Sequence, residues 1–274
     1  MATFEADQPA IHPSSPEYDD PKSTYHIGTR LELKRTTPPV LSVSVEISAH
    51  LRVEFGRRTQ VVVVIIRNDL RSVDSNFALG QEIVAKIYDP VYDVEGRTWP
   101  MGASYATYWT KENETKAYNK LKELQGLIVP KFLGEAICSL PMGKSQGTRN
   151  VSVLLLSLEK LTPLSDYIDP WTDSREALTF NEKEALKAAM ISAFQKLHQR
   201  CVYHGDIEPH NLLWEYGKLR ILDFGHAETP DEEDLGRQYL ELNDEALITN
   251  VLEMFGIETP HPSLHSQTFA EVVP

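Results

Sequence analysis

Residues Tyr203 to Gly225 read YHGDIEPHNLLWEYGKLRILDFG, and this stretch decides the fold. It contains a His204-Gly205-Asp206 triplet, followed after a four-residue spacer by Asn211. It ends on Asp223-Phe224-Gly225. Each short motif is common by itself, because an Asp in a loop usually caps a helix or completes a turn. The order and the spacing together are specific.

The residues between these motifs predict a tight hairpin. Leu212–Glu215 and Leu219–Leu222 read as two short strands, and Tyr216-Gly217-Lys218 reads as the turn that joins them. A tight hairpin returns its two ends to the same place. Asn211 and Asp223 stand at those ends, so we expect their side-chain oxygens to lie close together.

The whole stretch resembles the catalytic loop and the metal-binding loop of the protein-kinase-like superfamily. The resemblance implies an α+β fold with two lobes: an antiparallel β-sheet N-lobe with one helix, and a shortened, mostly helical C-lobe. It also implies ATP and Mg²⁺ as cofactors, with Asp206 and Asn211 as catalytic residues. Asn211 and Asp223 would be the metal ligands, since Mg²⁺ prefers oxygen. Phosphoryl transfer needs positioning and charge stabilisation above all.

Two residues upstream complete the set that the resemblance implies. Lys86 lies in the apolar segment EIVAKIY, Glu82–Tyr88, which reads as a strand. Such a lysine often extends to the surface, but the kinase-like context predicts that it binds the α- and β-phosphates. Glu114, on the apolar face of a helix predicted over Glu112–Gln125, is expected to pair with Lys86. Glu112 is the competing candidate.

The composition is that of an ordinary folded protein. Of 274 residues, 41% are hydrophobic and 24% charged, and the net charge is −13. Because nucleic acids and anionic membranes attract clustered Lys and Arg, neither is expected as a partner. Two cysteines without metal-ligand spacing favour a reducing, cytoplasmic setting. No secretory signal or apolar stretch long enough for a membrane is expected.

The chain divides into a tail and one kinase-like domain. Residues 1–39 contain six prolines and are predicted to be a disordered tail. Residues 40–274 are predicted to form the domain, with an N-lobe over about 40–157 and a C-lobe over about 158–265. Alternation over Leu41–Ile47 predicts a strand, followed by strands over His50–Gly56 and Gln60–Arg67. The lobe boundary is placed at Ser157–Leu161.

Two long helices are predicted in the C-lobe. One covers Asn181–Arg200, and His198 is interpreted as an ordinary residue of it. The other begins at Thr229-Pro230-Asp231, where a cap, a proline and acids coincide. His204 is expected to support the catalytic loop by hydrogen bonds. Leu235, Tyr239, Leu242 and Ala246 are predicted to continue this helix. An apolar face on it, or on a second helix, is predicted from Leu247, Val251, Leu252 and Phe255.

Several features depart from the protein-kinase pattern. No glycine-rich loop covers the phosphates, and the equivalent turn, Phe55–Arg58, has one glycine and would use arginine side chains instead. Gly205 replaces the arginine that receives an activating phosphate in protein kinases. Glu208 replaces a lysine. Only 49 residues (274 minus 225) follow Gly225. These features resemble a compact group of kinase-like proteins known mainly from fungal genomes.

Two functions from different classes follow from these observations. The first is an ATP-dependent phosphotransferase whose acceptor hydroxyl, on protein Ser/Thr or on a small molecule, is unknown. His-Gly-Asp favours a small molecule and Asp-Phe-Gly favours a protein. The alternative is a catalytically weak or inactive pseudokinase that binds nucleotide or acts as a scaffold. The poor glycine turn and Glu208 support this alternative.

Overall fold

A computed structural model describes residues 20–68, 70, 73–93, 102–141, 147–168, 178–231 and 236–259. The chain divides into two compact units. Unit 1 comprises Met1–Asn119 with Pro130–Glu159, and unit 2 comprises Lys120–Val129 with Lys160–Pro274. The division after Glu159 falls within the stretch where the lobe boundary was placed. The mixed α+β architecture, with an antiparallel sheet first and few helices after it, confirms the predicted kinase-like fold class.

Unit 1 is built on an antiparallel sheet that closes on itself. In the described residues its strand order is β1-β2-β3-β4-β6-β5, and β1 also pairs with β5. Alternating side chains fill the interior, so the core holds Val, Ile and Leu from every strand. The strands are β1 Arg30–Arg35, β2 Ser42–Arg52, β3 Thr59–Ile66, β4 Glu82–Tyr88, β5 Phe132–Pro141 and β6 Thr148–Ser157.

The N-terminal boundary at residue 39 is wrong. A short helix, α1 (Pro21–Thr24), precedes β1, and Tyr25 is completely buried. Leu31 and Leu33 of β1 point into the core while the residues between them are exposed. The prolines around this segment hid that alternation. β1 is stable because β2 and β5 supply hydrogen-bonding edges on both sides, which are long-range partners. Residues 1–19 lie outside the described residues.

The bounds of several other strands and helices differ from those predicted. The strands predicted over Leu41–Ile47 and His50–Gly56 are one strand, β2, whose pairing with β3 shifts register twice. Such bulges add residues that a simple alternation does not anticipate. The strand β4 has the predicted bounds. The helix expected over Glu112–Gln125 begins and ends earlier, since α2 covers Gly102–Lys120.

Unit 2 combines two long helices with a small sheet. Its helices are α3 (Phe180–His198) and α4 (Arg237–Met254). A three-stranded sheet pairs β7 (Thr162–Pro163) with β8 (Leu212–Glu215), and β8 with β9 (Lys218–Ile221). The β8–β9 pair is the predicted hairpin. α3 starts with a capping box in which Thr179 and Glu182 satisfy each other's backbone N–H groups.

The predicted start of the last helix is wrong. Thr229, Pro230 and Asp231 are not helical, and Glu232 and Glu233 lie outside the described residues. The backbone here has other partners, because Glu228 pairs with Tyr203 and the Lys120 ammonium donates to the carbonyls of Thr229 and Pro230. These contacts with residues distant in the chain keep the backbone out of the helical conformation, despite the local capping residues.

The predicted apolar face is confirmed for Val251, Leu252 and Phe255, which are buried, and Leu247 is half-buried. The residues predicted to lead into it are not on the buried side: Tyr239 is 74% exposed and Leu242 is 53% exposed. Ala246 is exposed as well, and Leu235 lies outside the described residues. The buried side of α4 comprises Asp244, Ile248, Val251 and Leu252.

No helix within the described ranges has the length and apolar character needed to cross a membrane.

Candidate functional site: two polar clusters

The first cluster lies in unit 1, where a strand meets a helix. Ile83, Ala85 and Ile87 of β4 face the core, so Lys86 points to the opposite side of the strand. There its Nζ lies 2.5 Å from Glu114 Oε2 of α2. The two side chains are 5% and 0% exposed. The structure thus brings Lys86 and Glu114 together.

Glu112, the competing candidate, has a different partner. Its Oε1 lies 2.8 Å from Lys111 Nζ, near the surface. The hydroxyl of Tyr88 is the additional member of the buried cluster, and it donates a hydrogen bond to the same Oε2 of Glu114 that Lys86 contacts. A buried ion pair is stable only when its charges are matched and hydrogen-bonded. This cluster meets the condition because two residues of β4, Lys86 and Tyr88, both donate to the Glu114 carboxylate.

Helix α2 is attached to the rest of unit 1 along its length. Thr107 Oγ1 donates to Asp93 Oδ2 at 3.2 Å, and Lys111 Nζ donates to Glu135 Oε2 at 3.2 Å. One turn beyond Glu114, the ring of Tyr118 stacks on Phe132 with 5.5 Å between centroids. Contacts at successive turns fix both the rotation and the translation of a helix. Glu114 is therefore presented by a firmly held element.

The turn before β3 is closed on itself. The buried Gln60 side chain accepts from the Glu54 N–H at 2.8 Å. Its Nε2 donates to the carbonyls of Glu54 and Arg57, at 2.9 and 3.1 Å. The Gly56 N–H donates to the Tyr92 carbonyl at 3.1 Å. Two amides of the turn are thus already hydrogen-bonded within unit 1.

Arg58 does not extend freely from this turn. Its Nε lies 3.2 Å from Asp93 Oδ2, and its Nη1 lies 3.2 Å from Thr110 Oγ1 of α2. Arg57 is exposed and lies 3.4 Å from Glu54. The expectation that arginine side chains would replace the glycine-rich loop is therefore not supported for Arg58, because Asp93 and α2 already hold its guanidinium.

The second cluster lies in unit 2 and centres on Asp206. Asn211 donates through Nδ2 to Asp206 Oδ2 at 3.1 Å and to the Asp206 carbonyl at 3.0 Å. A 3₁₀ turn over Pro209–Asn211, in which the Asn211 N–H donates to the Glu208 carbonyl at 2.9 Å, closes the loop. Because Asn211 uses its nitrogen in these bonds, its amide oxygen is the atom suited to a cation.

Asp223 follows the hairpin that begins at Asn211. Leu212 pairs with Ile221, and the Leu222 N–H donates to the Asn211 carbonyl at 2.8 Å. Asp223 itself has left-handed backbone angles, with φ 61° and ψ 72°, and its carboxylate accepts from the Gly225 N–H. The hairpin thus brings the backbone after Asn211 and the backbone before Asp223 together, while the proximity of the two side-chain oxygens stays a prediction.

The donor set of this cluster fits Mg²⁺. It offers a carboxylate and an amide oxygen, and Mg²⁺ usually takes one or two protein oxygens together with phosphate oxygens and water. Across the described segments, no group of three or more His, Cys, Asp or Glu side chains is arranged to hold a metal ion. Asn211 and Asp223 stay the predicted metal ligands.

His204 supports the loop, as the sequence predicted. Its Nε2 lies 2.8 Å from the Leu222 carbonyl, which can only accept, so Nε2 carries the proton. Nδ1 is then the acceptor for the Asp206 N–H at 3.3 Å. The ring packs against Phe224, with 5.0 Å between centroids. One imidazole therefore joins the backbone at Asp206 to the backbone before Asp223.

Asp244 is the structural residue that the sequence reasoning missed. This fully buried side chain of α4 accepts from the N–H groups of His204 and Gly205, at 2.8 and 3.0 Å. It also lies 3.0 Å from His198 Nε2. His198 is a residue of α3, as predicted, and it also stacks on Tyr203, a contact that the sequence did not indicate. The available signal was an acid four residues before the apolar Ile248, on the buried side of a helix.

Limited space explains why the middle residue of His-Gly-Asp is a glycine. Gly205 has φ +71°, and a Cβ atom built there would lie 2.7 Å from the His226 carbonyl oxygen. That separation is too short for a carbon and an oxygen that are not bonded. Arginine at this position would therefore require the loop to move.

The comparison with known families concerns the second cluster, because Lys86 and Glu114 lie outside the matched residues. Residues 142–240 match the family model of the protein kinase domain, and the match contains the whole stretch Tyr203 to Gly225. It confirms the predicted resemblance to the protein-kinase-like superfamily. No curated protein matches the chain.

Proposed function

We propose that the protein is a Mg²⁺- and ATP-dependent phosphotransferase that moves the γ-phosphoryl group to a hydroxyl acceptor. The observation that carries the proposal is the hydrogen bond between Asn211 Nδ2 and Asp206 Oδ2, at 3.1 Å. It orients a carboxylate suited to accept a proton and an amide oxygen suited to bind a cation, within one loop. The protein kinase family match supports the same class of reaction.

Each residue has a role in this proposal. The Asp206 carboxylate accepts the proton of the acceptor hydroxyl while the oxygen of that hydroxyl bonds to the γ-phosphorus. The bond between the γ-phosphorus and the bridging oxygen breaks, and ADP leaves with that electron pair. Lys86, paired with Glu114, binds the α- and β-phosphates. Mg²⁺ would be held by oxygens of Asn211 and Asp223, and it would offset phosphate charge.

The acceptor is either a small molecule or a protein Ser/Thr. Gly205 supports the first, since His-Gly-Asp is typical of small-molecule phosphotransferases, and Asp223-Phe224-Gly225 supports the second. Glu208 would favour a cationic acceptor or the metal over a phosphate. The two free cysteines support a cytoplasmic setting.

One observation favours a second candidate function, nucleotide binding without transfer. The turn before β3 uses the Gly56 and Glu54 amides internally, so neither is presented to phosphate. A pseudokinase that binds Mg²⁺·ATP as a structural ligand would need no covering loop.

The test separates binding from transfer without knowledge of the acceptor. Calorimetry measures the dissociation constant of Mg²⁺·ATP, and ADP release measures slow hydrolysis, in which water is the acceptor. We expect Asp206→Asn to bind Mg²⁺·ATP like the wild type and to hydrolyse it about 100-fold more slowly. Asp231→Asn removes an exposed carboxylate of unit 2 and is the matched control.

The outcomes distinguish the two functions. Binding with no hydrolysis or transfer in the wild type would favour the pseudokinase. Equal hydrolysis by wild type and Asp206→Asn would contradict the role of Asp206. Absence of binding at millimolar Mg²⁺·ATP would contradict both functions.

A further inference from the structure

Tyr88 stands in an unusual relation to the buried ion pair. It lies two residues after Lys86 on β4, so both side chains leave the same side of the strand. Its hydroxyl donates to Glu114 Oε2, the oxygen that lies 2.5 Å from Lys86 Nζ. The Lys86 ammonium lies 5.8 Å from the centroid of the Tyr88 ring. Tyr88 therefore contacts both members of the pair.

We propose that Tyr88 is a positioning residue for Lys86, acting through Glu114. This inference rests on the proposed function, because the role of Lys86 there is to bind the phosphates of ATP. Tyr88 touches neither the nucleotide nor the reacting atoms in this scheme. Its hydroxyl fixes the orientation of the Glu114 carboxylate, and the carboxylate fixes the ammonium.

The chemistry gives a reason for a neutral second donor. When phosphate oxygens bind the Lys86 ammonium, they compete with Glu114 for its protons, and the carboxylate loses part of its compensation. A buried carboxylate without enough donors turns away or takes up a proton. The Tyr88 hydroxyl keeps one hydrogen bond on Oε2 throughout and adds no positive charge that would attract phosphate itself. Glu114 then remains in place and ionised while Lys86 is shared.

Unit 1 offers an internal comparison for this role. Tyr25, also fully buried, donates its hydroxyl to Asp89 Oδ2 at 2.7 Å. Asp89 is paired with Arg149 at 2.8 Å, so this second site likewise joins a tyrosine, a buried carboxylate and a cation. Its members belong to neither candidate cluster. Removal of the Tyr25 hydroxyl therefore measures what the loss of such a bond does to the fold alone.

The experiment compares Tyr88→Phe with Tyr25→Phe. Each variant keeps the ring and removes one hydroxyl that donates to a buried carboxylate. Urea unfolding reports stability, and calorimetry reports the dissociation constant of Mg²⁺·ATP. We expect both variants to lose stability, since each leaves a carboxylate with one donor fewer. Only Tyr88→Phe is expected to weaken Mg²⁺·ATP binding, by roughly 3- to 10-fold.

A second background tests whether the effect passes through the carboxylate. In Glu114→Gln, which lacks the charge that Tyr88 stabilises, the further change Tyr88→Phe is expected to alter binding less than about 2-fold. An unchanged effect in this background would overturn the inference, because Tyr88 would then act by another route. So would equal affinities of wild type and Tyr88→Phe, a result that leaves the proposed function intact.

Failure of the proposed function has a different signature. If the wild type and Tyr25→Phe both fail to bind Mg²⁺·ATP, the proposed function fails and the positioning role falls with it. If Tyr25→Phe weakens binding as much as Tyr88→Phe does, affinity follows general stability, and the positioning role alone is overturned.

Discussion

The two polar clusters are held in place by different means. In unit 1, Lys86 and Glu114 are almost fully buried and contact each other directly from a strand and a helix. In unit 2, Asp206 is only half-buried and belongs to a loop. That loop is fastened through its backbone, by Asp244 and by His204. The first cluster thus depends on side-chain charges, and the second depends on backbone anchors behind it.

The difference predicts which substitutions each unit tolerates. In unit 1, removal of one partner leaves a buried charge without its match, whereas removal of both partners leaves a shape that apolar side chains can fill. In unit 2, we expect the half-buried Asp206 side chain to be replaceable with little effect on the fold. Asp244 and Gly205, which hold the loop behind it, are not expected to be replaceable in this way.

The largest effect is expected for Asp244→Ala. It removes the acceptor for two backbone N–H groups and for His198, all away from water, so we expect the free energy of unfolding to fall by about 3–5 kcal/mol. Urea unfolding measures this. Asn243→Ala, an exposed change at the adjacent position of α4, is the control and is expected to be near neutral. A loss below about 1 kcal/mol for Asp244→Ala would contradict the anchoring role.

The buried pair of unit 1 is tested next. Lys86→Met should destabilise the protein by about 3 kcal/mol, because Glu114 loses its cation while it stays buried. The double variant Lys86→Met/Glu114→Leu should recover most of that loss, since no buried charge remains. If the double variant is less stable than the single one, the pair contributes more to stability than charge compensation. Unit 1 would then not depend on side-chain charges alone.

Gly205→Ala is expected to have a somewhat smaller effect. It combines an unfavourable positive φ with a Cβ atom 2.7 Å from the His226 carbonyl oxygen, so we expect a loss of about 2–3 kcal/mol. Gly217 has φ +79° and open space around it, so Gly217→Ala isolates the backbone effect, at about 1 kcal/mol. Equal losses in the two variants would show that the contact with His226 relaxes without strain.

The smallest effect concerns Cys138 of β5, in the core of unit 1. Burial raises the pKa of its thiol from 9.0 to about 11. The thiol therefore stays neutral in the folded protein at a pH where the unfolded chain has lost the proton. This contribution is complete below pH 9 and is lost as the pH rises through 11.

The matched comparison for this effect is Cys138→Ala. The stability difference between wild type and variant should be constant below pH 9 and should shrink by about 2 kcal/mol by pH 11. Urea unfolding at several pH values measures it. A difference that does not change over this range would mean that the thiol is hydrated in the folded state.

The sequence predicted the local parts of both clusters well. The hairpin between Asn211 and Asp223 and the strand that carries Lys86 have the expected positions, because short-range alternation and turn residues define them. Asp244 was missed because its partner His204 lies 40 residues away in the chain. Its spacing from Ile248 indicates the buried side of a helix but not the backbone groups that its carboxylate binds. The strand Arg30–Arg35 was missed for the same reason, since its stability comes from partners on β2 and β5.

The contact of Tyr88 with Glu114 is a second example of a contact between elements that the sequence does not reveal. The alternation of β4 places Tyr88 beside Lys86, which the sequence reveals. Which helix residue its hydroxyl meets depends on how α2 packs, and the start and the extent of α2 were not predicted. Contacts between elements decide the chemistry here, and propensity along the chain does not contain them.

The central claim is the proposed binding of Mg²⁺·ATP, and its most direct test is thermal unfolding with and without that ligand. At 100 times the dissociation constant, a ligand adds about 2.7 kcal/mol, which raises the midpoint by several degrees in a chain of this size. We expect this rise in the wild type and its loss in both Lys86→Met of unit 1 and Asp223→Ala of unit 2. No rise in the wild type at millimolar Mg²⁺·ATP, or an undiminished rise in either variant, would contradict the claim.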